Sequence, residues 1–191
     1  KNAAEPCGVD LKKQITWDSM LEDGKKLHAE NPDYYYLNTD TKILCEYVLR
    51  PYLRQMTGES FIIDSEKKMS FTREQLVEVL TYIKDCYDGG VFEPAEDSAT
   101  FKGQIHTNPK WMDGKFVFAY GPSSSINLLM DAVPEAECTV VQMPMAEDRV
   151  NDGFFADTPQ YMTVNKNSEH VEEAVDFLNY FYNNAEAQET L

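Results

Sequence analysis

The chain has 191 residues, of which 42% are hydrophobic, and its 33 acidic and 17 basic residues give a net charge of −16. This length allows one sizeable core or two small ones, and the hydrophobic content argues against intrinsic disorder. The negative charge argues against nucleic acid and anionic lipid as partners, because both would be repelled, so a neutral or cationic ligand fits better. No apolar run approaches the roughly 18 residues that a membrane-spanning helix needs.

The first predicted elements are a helix, a short strand and a polar loop. Thr16 is a suitable helix cap and Asn31-Pro32 a suitable end, and the side predicted to face the core carries Trp17, Met20, Leu21, Gly24 and Leu27. The aromatic run Tyr34–Leu37 predicts a strand, since it follows a proline and suits a pleated surface. Asn38–Thr41 is then a polar loop at the end of that strand.

Two more helices are predicted in the middle of the chain. The first spans about Lys42–Met56, and Pro51 should kink it or split it. The second begins at a capping box formed by Thr72 and Gln75 and stops at Gly89-Gly90. Its apolar face is predicted to carry Leu76, Leu80, Ile83 and Tyr87.

The segment Trp111–Ser125 combines a buried strand with a polar end. Phe116–Ala119 is an apolar run bounded by turn residues, which suits a strand covered on both faces of a parallel or mixed α/β sheet. Gly121-Pro122 ends the strand, and three serines then precede a short apolar segment that predicts a helix. Ligands of open α/β sheets lie beyond the carboxyl ends of the strands, so these hydroxyl groups form a candidate ligand-binding ledge.

The remaining segments predict an exposed loop at residues 93–109, two strands and a terminal helix. The strands are Cys138–Met143 and Pro159–Asn165, with a polar surface connection between them. Asn167 or Ser168 should cap the helix, whose apolar face carries Val171, Ala174, Val175, Leu178, Phe181 and Tyr182. Strands and helices alternate along the chain, which favours the α/β class.

The cysteine and histidine residues give no sign of a metal site. The cysteines show no C-x-x-C spacing and are expected to be buried or partly buried free thiols: Cys7, Cys45, Cys86 and Cys138. The histidines fall on separate elements and form no ligand set: His28, His106 and His170. The sequence also has no nucleophile elbow, phosphate loop or H-E-x-x-H motif, so we expect no cofactor and no catalysis.

Four segments resemble, in order and spacing, the motifs of one protein family. Cys7–Asp10 followed by Ile15–Asp18 resembles "aGv…P.TWdE", and Asp113–Gly121 resembles "F.dGKvAM...G". Val140–Pro144 resembles "…v.plP", and Met162–Asn167 with Val171–Gln188 resembles "..i.knskn.eaA.+Fl.fl.s.eaQ". The family that they resemble is family 1 of the extracellular solute-binding proteins that serve ABC importers. This family binds carbohydrates and includes maltose-binding protein. The similarity covers nearly all of the chain.

The resemblance implies a periplasmic-binding-protein-like fold of type II, in which each lobe is a mixed sheet flanked by helices. It implies that residues 1–11 are a remnant of the first lobe and crossover, and that residues 12–145 form the second lobe. Residues 146–158 would cross between the lobes, and residues 159–191 would return to the first lobe. An extracytoplasmic location is also implied, either as a cell-surface lipoprotein or in the periplasm.

By the same resemblance, the ligand lies in the cleft between the lobes. Aromatic faces cover the apolar side of a sugar there, and polar groups bind its hydroxyls. Matching the family's cleft positions gives these candidate ligand-binding residues: Tyr36, Asn38, Thr39, Asp40, Thr41, Tyr120, Ser123, Ser124, Phe154, Phe155 and Asp157. Trp111 is a further candidate stacking ring, whereas Trp17 is expected in the core.

The leading hypothesis is a non-catalytic lobe that binds a mono- or oligosaccharide and closes on it by hinge motion. Its partners would be the ABC permease subunits, and the full-length protein would be a monomer. A receptor for a peptide, a polyamine or another small solute is the alternative, which the acidic charge permits. A fragment of a glycoside-processing enzyme is less favoured, because nothing in the sequence marks the pair of carboxylates that such an enzyme needs.

Overall fold

The computed structural model describes residues 8–63, 65–154 and 162–190, and the chain divides into two compact units, Lys1–Phe154 and Phe155–Leu191. The first unit contains, in order, α1 (Trp17–Glu30), β1 (Tyr35–Asn38), α2 (Thr41–Ile43), α3 (Arg50–Thr57), β2 (Ile62–Ile63), β3 (Lys68–Met69), α4 (Arg73–Asp88), α5 (Ala95–Ser98), α6 (Pro109–Met112), β4 (Phe116–Ala119) and α7 (Ile126–Asp131). The second unit contains α8 (Val171–Asn183) and α9 (Ala185–Thr190). This mixture of helices and strands is the predicted α/β class.

Strand β1 lies between two parallel neighbours. It pairs with β4, with Leu37 opposite Phe118 and Asn38 opposite Ala119, and a parallel bridge joins Leu37 to Phe92 on the other side. Leu37 is fully buried, as expected for a strand covered on both faces. The predictions of strands at residues 34–37 and 116–119 are confirmed to within one residue.

Helix α1 packs on this sheet through its predicted apolar face. A capping box starts the helix: Ser19 N–H donates to Thr16 Oγ1 at 3.0 Å, and Thr16 N–H donates to Ser19 Oγ at 2.9 Å. The buried residues of α1 are Trp17, Met20, Gly24 and Leu27. Gly24 allows a close approach to the sheet, because a β-carbon there would lie 2.7 Å from Val91 Cγ1.

The second predicted helix is continuous from Thr41 to Thr57, but its geometry changes along its length. A π-helical segment, Leu44–Leu49, joins α2 to α3, and Pro51 follows it in the first turn of α3. Proline has no N–H to donate, and the wider turn accommodates the missing hydrogen bond. The expected disturbance at Pro51 is therefore a π-turn rather than a break.

Helix α4 has the predicted cap, and its predicted apolar face is confirmed in part, because Leu76, Ile83 and Tyr87 are half-buried. Thr72 and Gln75 form the capping box, and the buried residues are Val79, Tyr82 and Cys86. Leu80 is 47% exposed, so its predicted place in the core is wrong. The physical reason is that Tyr82 points inward and donates its hydroxyl proton to the carbonyl oxygen of Trp17 at 2.8 Å, which fixes the rotation of the helix.

Three other segments also differ from the sequence predictions. Residues 93–109 are mostly exposed, as predicted, but they contain α5 and two 3-10 turns, and three of their polar side chains are buried: Glu93, Ser98 and Asn108. Cys138–Met143 is not a strand, because it has no β partner among the described residues, and Met145 forms only an isolated bridge with Thr16. Residues 162–165, the described part of the other predicted strand, are not β-structure either.

The described part of the second unit is helical, with α8 followed by α9. His170 is the cap residue of α8, and Ser168 Oγ accepts a hydrogen bond from its N–H at 3.1 Å, so neither Asn167 nor Ser168 is the cap itself. The predicted apolar face is confirmed in part, because four of its residues are half-buried: Val171, Ala174, Leu178 and Phe181.

Candidate functional site

Two of the three predicted ligand-binding segments lie at one edge of the main sheet. Asn38 ends β1 and pairs with Ala119, which ends β4. Because the strands are parallel, residues 39–41 and 120–124 leave the sheet at the same edge. We call residues 38–41 together with 120–124 the strand-end surface.

Three residues of the strand-end surface point inward. Asn38, Thr39 and Asp40 are at most 1% exposed. Asn38 Nδ2 donates to the carbonyl oxygen of Ile105 at 2.9 Å and so holds the 93–109 segment against β1. The proposed ligand contacts of these residues stay a prediction, and the geometry favours a positioning role.

Both carboxylate oxygens of Asp40 have backbone partners. Its Oδ1 accepts from the N–H of Ile43 at 2.8 Å as the cap of α2, and its Oδ2 accepts from the N–H of Gly103 at 2.6 Å. The negative charge thus lies at the positive end of the helix that starts at Thr41. Asp40 thereby neutralises a helix end that would otherwise favour an anion.

Two of the candidate stacking rings are also buried. Tyr36 is 1% exposed, and its ring centroid lies 5.1 Å from that of Phe118. Trp111 is 9% exposed, and its indole N–H donates to the carbonyl oxygen of Leu129 at 3.0 Å. With so little exposed area, neither ring presents a face to a sugar, and both stabilise the core.

The outer part of the strand-end surface consists of hydroxyl groups. Thr41, Ser123 and Ser124 are exposed, and the two serines begin a 3-10 turn that leads into α7. Tyr120 is half-buried, its hydroxyl lies 3.9 Å from Met20 Sδ, and burial raises its pKa well above the usual value. The Tyr120 side chain is therefore uncharged at neutral pH, as are the hydroxyls beside it.

Phe154 is an exposed aromatic ring in the third predicted segment. It is 53% exposed and follows Gly153, which packs closely against Pro51 and Gln55 of α3. Phe155 and Asp157, the other candidates in this segment, lie outside the described residues.

The first turns of α1 connect the strand-end surface to the segment that carries Phe154. Met20 Sδ is the contact of the Tyr120 hydroxyl. Three residues earlier, the indole N–H of Trp17 donates to Gln55 Oε1 at 2.8 Å. Gln55 in turn donates to the carbonyl oxygen of Asp152 at 3.3 Å, so Tyr120 and the backbone two residues before Phe154 are both linked to the first turns of α1.

The sequence reasoning missed two buried polar side chains. Glu93 accepts a hydrogen bond from Asn108 and forms an ion pair with Lys110, whose Nζ lies 2.9 Å from Glu93 Oε2. Gln55 is also fully buried. The sequence does hold a signal for Gln55, because it falls seven residues after the buried Val48 and hence on the same helix face. No comparable spacing marks Glu93.

The described residues contain no group of three or more His, Cys, Asp or Glu side chains that could hold a metal ion. Their cysteines are free thiols, Cys86 buried and Cys45 and Cys138 half-buried. Burial raises the pKa of Cys86 to about 12, which leaves almost no reactive thiolate at neutral pH. Within the described ranges, no helix combines the length and the apolar character needed to cross a membrane.

An α/β unit with polar groups collected at the carboxyl ends of its strands is typical of proteins that bind small molecules. Residues 10–191 match the family described as bacterial extracellular solute-binding protein, so the chain belongs to this family. The resemblance seen in the four sequence motifs is thus confirmed. Among curated proteins, none matches the chain.

Solved structures with the same fold confirm the periplasmic-binding-protein architecture. A periplasmic solute-binding protein from Pectobacterium atrosepticum is 20% identical with a TM-score of 0.78, over 98% of this chain and 47% of that one. A periplasmic oligogalacturonide-binding protein from Yersinia enterocolitica, in complex with saturated digalacturonic acid, is 24% identical with a TM-score of 0.77, over 98% and 46%. A de novo designed cysteine esterase is 25% identical with a TM-score of 0.72, over 97% and 46%. The chain spans about half the length of these proteins.

Proposed function

We propose that this chain provides the ligand-binding lobe of an extracytoplasmic receptor that delivers a carbohydrate to an ABC importer. The lobe binds the sugar without catalysis, and the two-lobe protein closes on it as a monomer by hinge motion. Residues 12–145 form the lobe in this proposal, residues 146–158 cross to the other lobe, and ABC permease subunits are the partners.

The observation that carries the proposal is the exposed, uncharged hydroxyl groups at the carboxyl ends of β1 and β4, together with the exposed ring of Phe154. A sugar needs directed hydrogen bonds for its hydroxyls and an aromatic face for its apolar C–H groups. Thr41, Ser123 and Ser124 supply the former, and Phe154 supplies the latter. The digalacturonic acid in the Yersinia enterocolitica structure supports a carbohydrate as the class of solute.

A cationic solute is the second candidate. The net charge of −16 attracts polyamines and basic peptides and raises their local concentration near the protein. An anionic sugar acid would be repelled by the same charge, so within the carbohydrates the proposal favours a neutral sugar.

Calorimetry separates these candidates when it is done on the parent protein, by which we mean the full-length protein that contains both lobes in this proposal. The titrants are maltotriose, digalacturonic acid and spermidine, each at low and at physiological ionic strength. We expect binding heat from a saccharide that persists at the higher ionic strength. Heat from spermidine and from neither saccharide would exclude the carbohydrate proposal in favour of the cationic one.

Substitutions in the parent protein test the individual contacts. Phe154→Ala should weaken saccharide binding about tenfold, which corresponds to about 1.4 kcal/mol, and Phe154→Trp should retain binding because it keeps a ring. Ser124→Ala should weaken binding by about threefold, or roughly 0.6 kcal/mol, as expected for a lost hydrogen bond. Ser65→Ala changes an exposed serine in another loop and is the matched control. Unchanged affinity in Phe154→Ala and Ser124→Ala would contradict this placement of the site.

The absence of catalysis is tested separately. The parent protein is incubated with chromogenic glycosides, and we expect no turnover. Turnover that disappears in an Asp157→Asn variant would overturn the proposal of a binding protein.

A further inference from the structure

The side-chain amide of Gln55 is fully buried and makes four hydrogen bonds. Its Oε1 accepts from the indole N–H of Trp17 and from the backbone N–H of Ala146, both at 2.8 Å. Its Nε2 donates to the carbonyl oxygens of Pro144 at 3.0 Å and Asp152 at 3.3 Å. Two donors and two acceptor sites are all that a primary amide offers, so the group is fully satisfied.

These partners come from separate parts of the chain. Trp17 belongs to α1, Pro144 and Ala146 come directly after the Cys138–Met143 segment, and Asp152 lies just before the boundary between the two units. One side chain of α3 therefore joins α1 to both ends of the segment 144–152. We call residues 144–153 the clamped segment.

Gly153 completes the fit between α3 and the clamped segment. Its φ is 72°, and a β-carbon on it would lie 2.8 Å from the carbonyl oxygen of Pro51 and 2.9 Å from Gln55 Cγ. Any other residue would therefore be strained in its backbone and would also push the segment away from α3. The next residue along the chain is Phe154.

We propose that Gln55 is the positioning residue for Phe154, acting by fixing the clamped segment to α3 and α1. The link to ligand binding rests on the proposed function, in which the Phe154 ring contacts the solute. A ring on a free loop would have to be ordered when the solute binds, whereas a ring that leaves a clamped backbone is held in place beforehand.

An amide is the group that this position requires. Glutamate has nearly the same shape and keeps both acceptor contacts, but it loses the two donors and places a carboxylate against the carbonyl oxygens of Pro144 and Asp152. The backbone bond from Val150 N–H to the carbonyl oxygen of Gln55, at 2.7 Å, does not depend on the side chain. Gln55→Glu should therefore loosen the clamped segment more than the rest of the unit.

Amide hydrogen exchange of the full-length protein without solute tests the clamp directly. We expect the peptide covering residues 147–154 to exchange at least tenfold faster in Gln55→Glu than in the wild type. Val79→Ala removes buried volume in α4 and is the control for general destabilisation, with exchange of this peptide unchanged within twofold. Equal acceleration in Val79→Ala, or no acceleration in Gln55→Glu, would overturn the proposal.

Gly153→Ala provides a second test if Gln55→Glu does not fold. Gly114→Ala is its matched control, because Gly114 has a similar φ of 68° but no atom within 4 Å of the added β-carbon. Both variants carry the backbone strain, and only Gly153→Ala has the clash with α3. Faster exchange of residues 147–154 is expected in Gly153→Ala alone, and similar behaviour of the two variants would refute the clamp.

Calorimetry with maltotriose and digalacturonic acid then relates the clamp to binding. We expect Gly153→Ala to weaken saccharide binding by about as much as Phe154→Ala, and Gly114→Ala to bind as the wild type does. If Phe154→Ala loses affinity and Gly153→Ala does not, Gln55 does not position the ring and the inference is wrong. If no saccharide binds, or if Phe154→Ala has no effect, the proposed function or its site fails, while the exchange result still decides the clamp.

Discussion

Lys110 forms ion pairs with two carboxylates of very different exposure, so its substitution tests how burial changes the contribution of an ion pair to the unfolding free energy. Its Nζ lies 2.9 Å from Glu93 Oε2 and 3.2 Å from Asp97 Oδ2. The Glu93 side chain is 0% exposed and the Asp97 side chain 53%. We predict that Lys110→Met costs about 3 kcal/mol of unfolding free energy, because it leaves the buried Glu93 carboxylate without its cation.

The size of this effect follows from distance and dielectric. At 2.9 Å and an effective dielectric constant of about 20, the attraction between Lys110 and Glu93 is about 6 kcal/mol before desolvation is subtracted. At 3.2 Å in a water-like environment, the attraction between Lys110 and Asp97 is about 1 kcal/mol. Burial of both charged groups offsets a large part of the first value but little of the second. Asp97→Asn should therefore cost less than about 1 kcal/mol.

Urea unfolding followed by tryptophan fluorescence measures these differences, since Trp17 and Trp111 both lie in the first unit and report on it alone. Lys110→Met should lower the midpoint by about 1–2 M urea. A double-mutant cycle with Glu93→Gln isolates the pair, and we expect a coupling energy of at least about 2 kcal/mol. A coupling energy below about 0.5 kcal/mol would show that Lys110 acts by packing rather than by its charge, and an equal loss in Asp97→Asn would refute the argument that burial makes the Glu93 pair the stronger one.

Three further predictions concern burial. Burial raises the pKa of Tyr52 to about 12, so the unfolded state loses this proton first, near pH 10, and the unfolding free energy should fall as the pH rises from there toward 12. The urea midpoint should therefore fall less between pH 8 and pH 11 in Tyr52→Phe than in the wild type. An equal fall in the two proteins would contradict this. Cys86, with its pKa raised to about 12, should resist iodoacetamide at pH 8 in the folded protein and react in urea, which mass spectrometry would detect; rapid labelling of the native protein would disprove it. Gly24→Ala should lower the unfolding free energy by about 1–3 kcal/mol, because the added methyl group would press against Val91. Val91→Ala should restore part of this loss in the double variant, whereas additive losses of unfolding free energy would argue against the clash.

The caps and short strands could be predicted because their signals are local. In two capping boxes, Thr16 with Ser19 and Thr72 with Gln75, each side chain accepts a hydrogen bond from the backbone N–H of the other residue. Because the two residues are only three positions apart, the sequence alone specifies where α1 and α4 begin. The apolar run Phe116–Ala119 likewise needed only its own composition and the turn residues beside it. The position of the strand-end surface then follows from the parallel pairing of two such strands.

The remaining features depend on partners that are distant in sequence. Cys138–Met143 has the composition of a strand, but a strand needs a neighbour to pair with, and Val140 is 71% exposed. Gln55 bonds to residues 38 to 97 positions away, and only the fold brings them together. The inward-facing Asn38 and Asp40 look like ordinary loop residues in the sequence, because their partners Ile105 and Gly103 lie in a segment that was predicted to be exposed.

The overall charge and the chemistry of the site act at different ranges. The net charge of −16 produces a field that attracts cations, but at physiological salt this field is screened beyond roughly 8 Å and mainly affects the rate of encounter. Contact specificity depends instead on the groups that meet the solute, and the exposed or half-buried candidate groups among the described residues are uncharged: Thr41, Tyr120, Ser123, Ser124 and Phe154. The carboxylate of Asp40 is buried and engaged in its own bonds, so it offers no ion pair to a polyamine. The described contact groups therefore support the proposal of a neutral sugar, whereas the charge of the whole chain supports the alternative of a cationic solute.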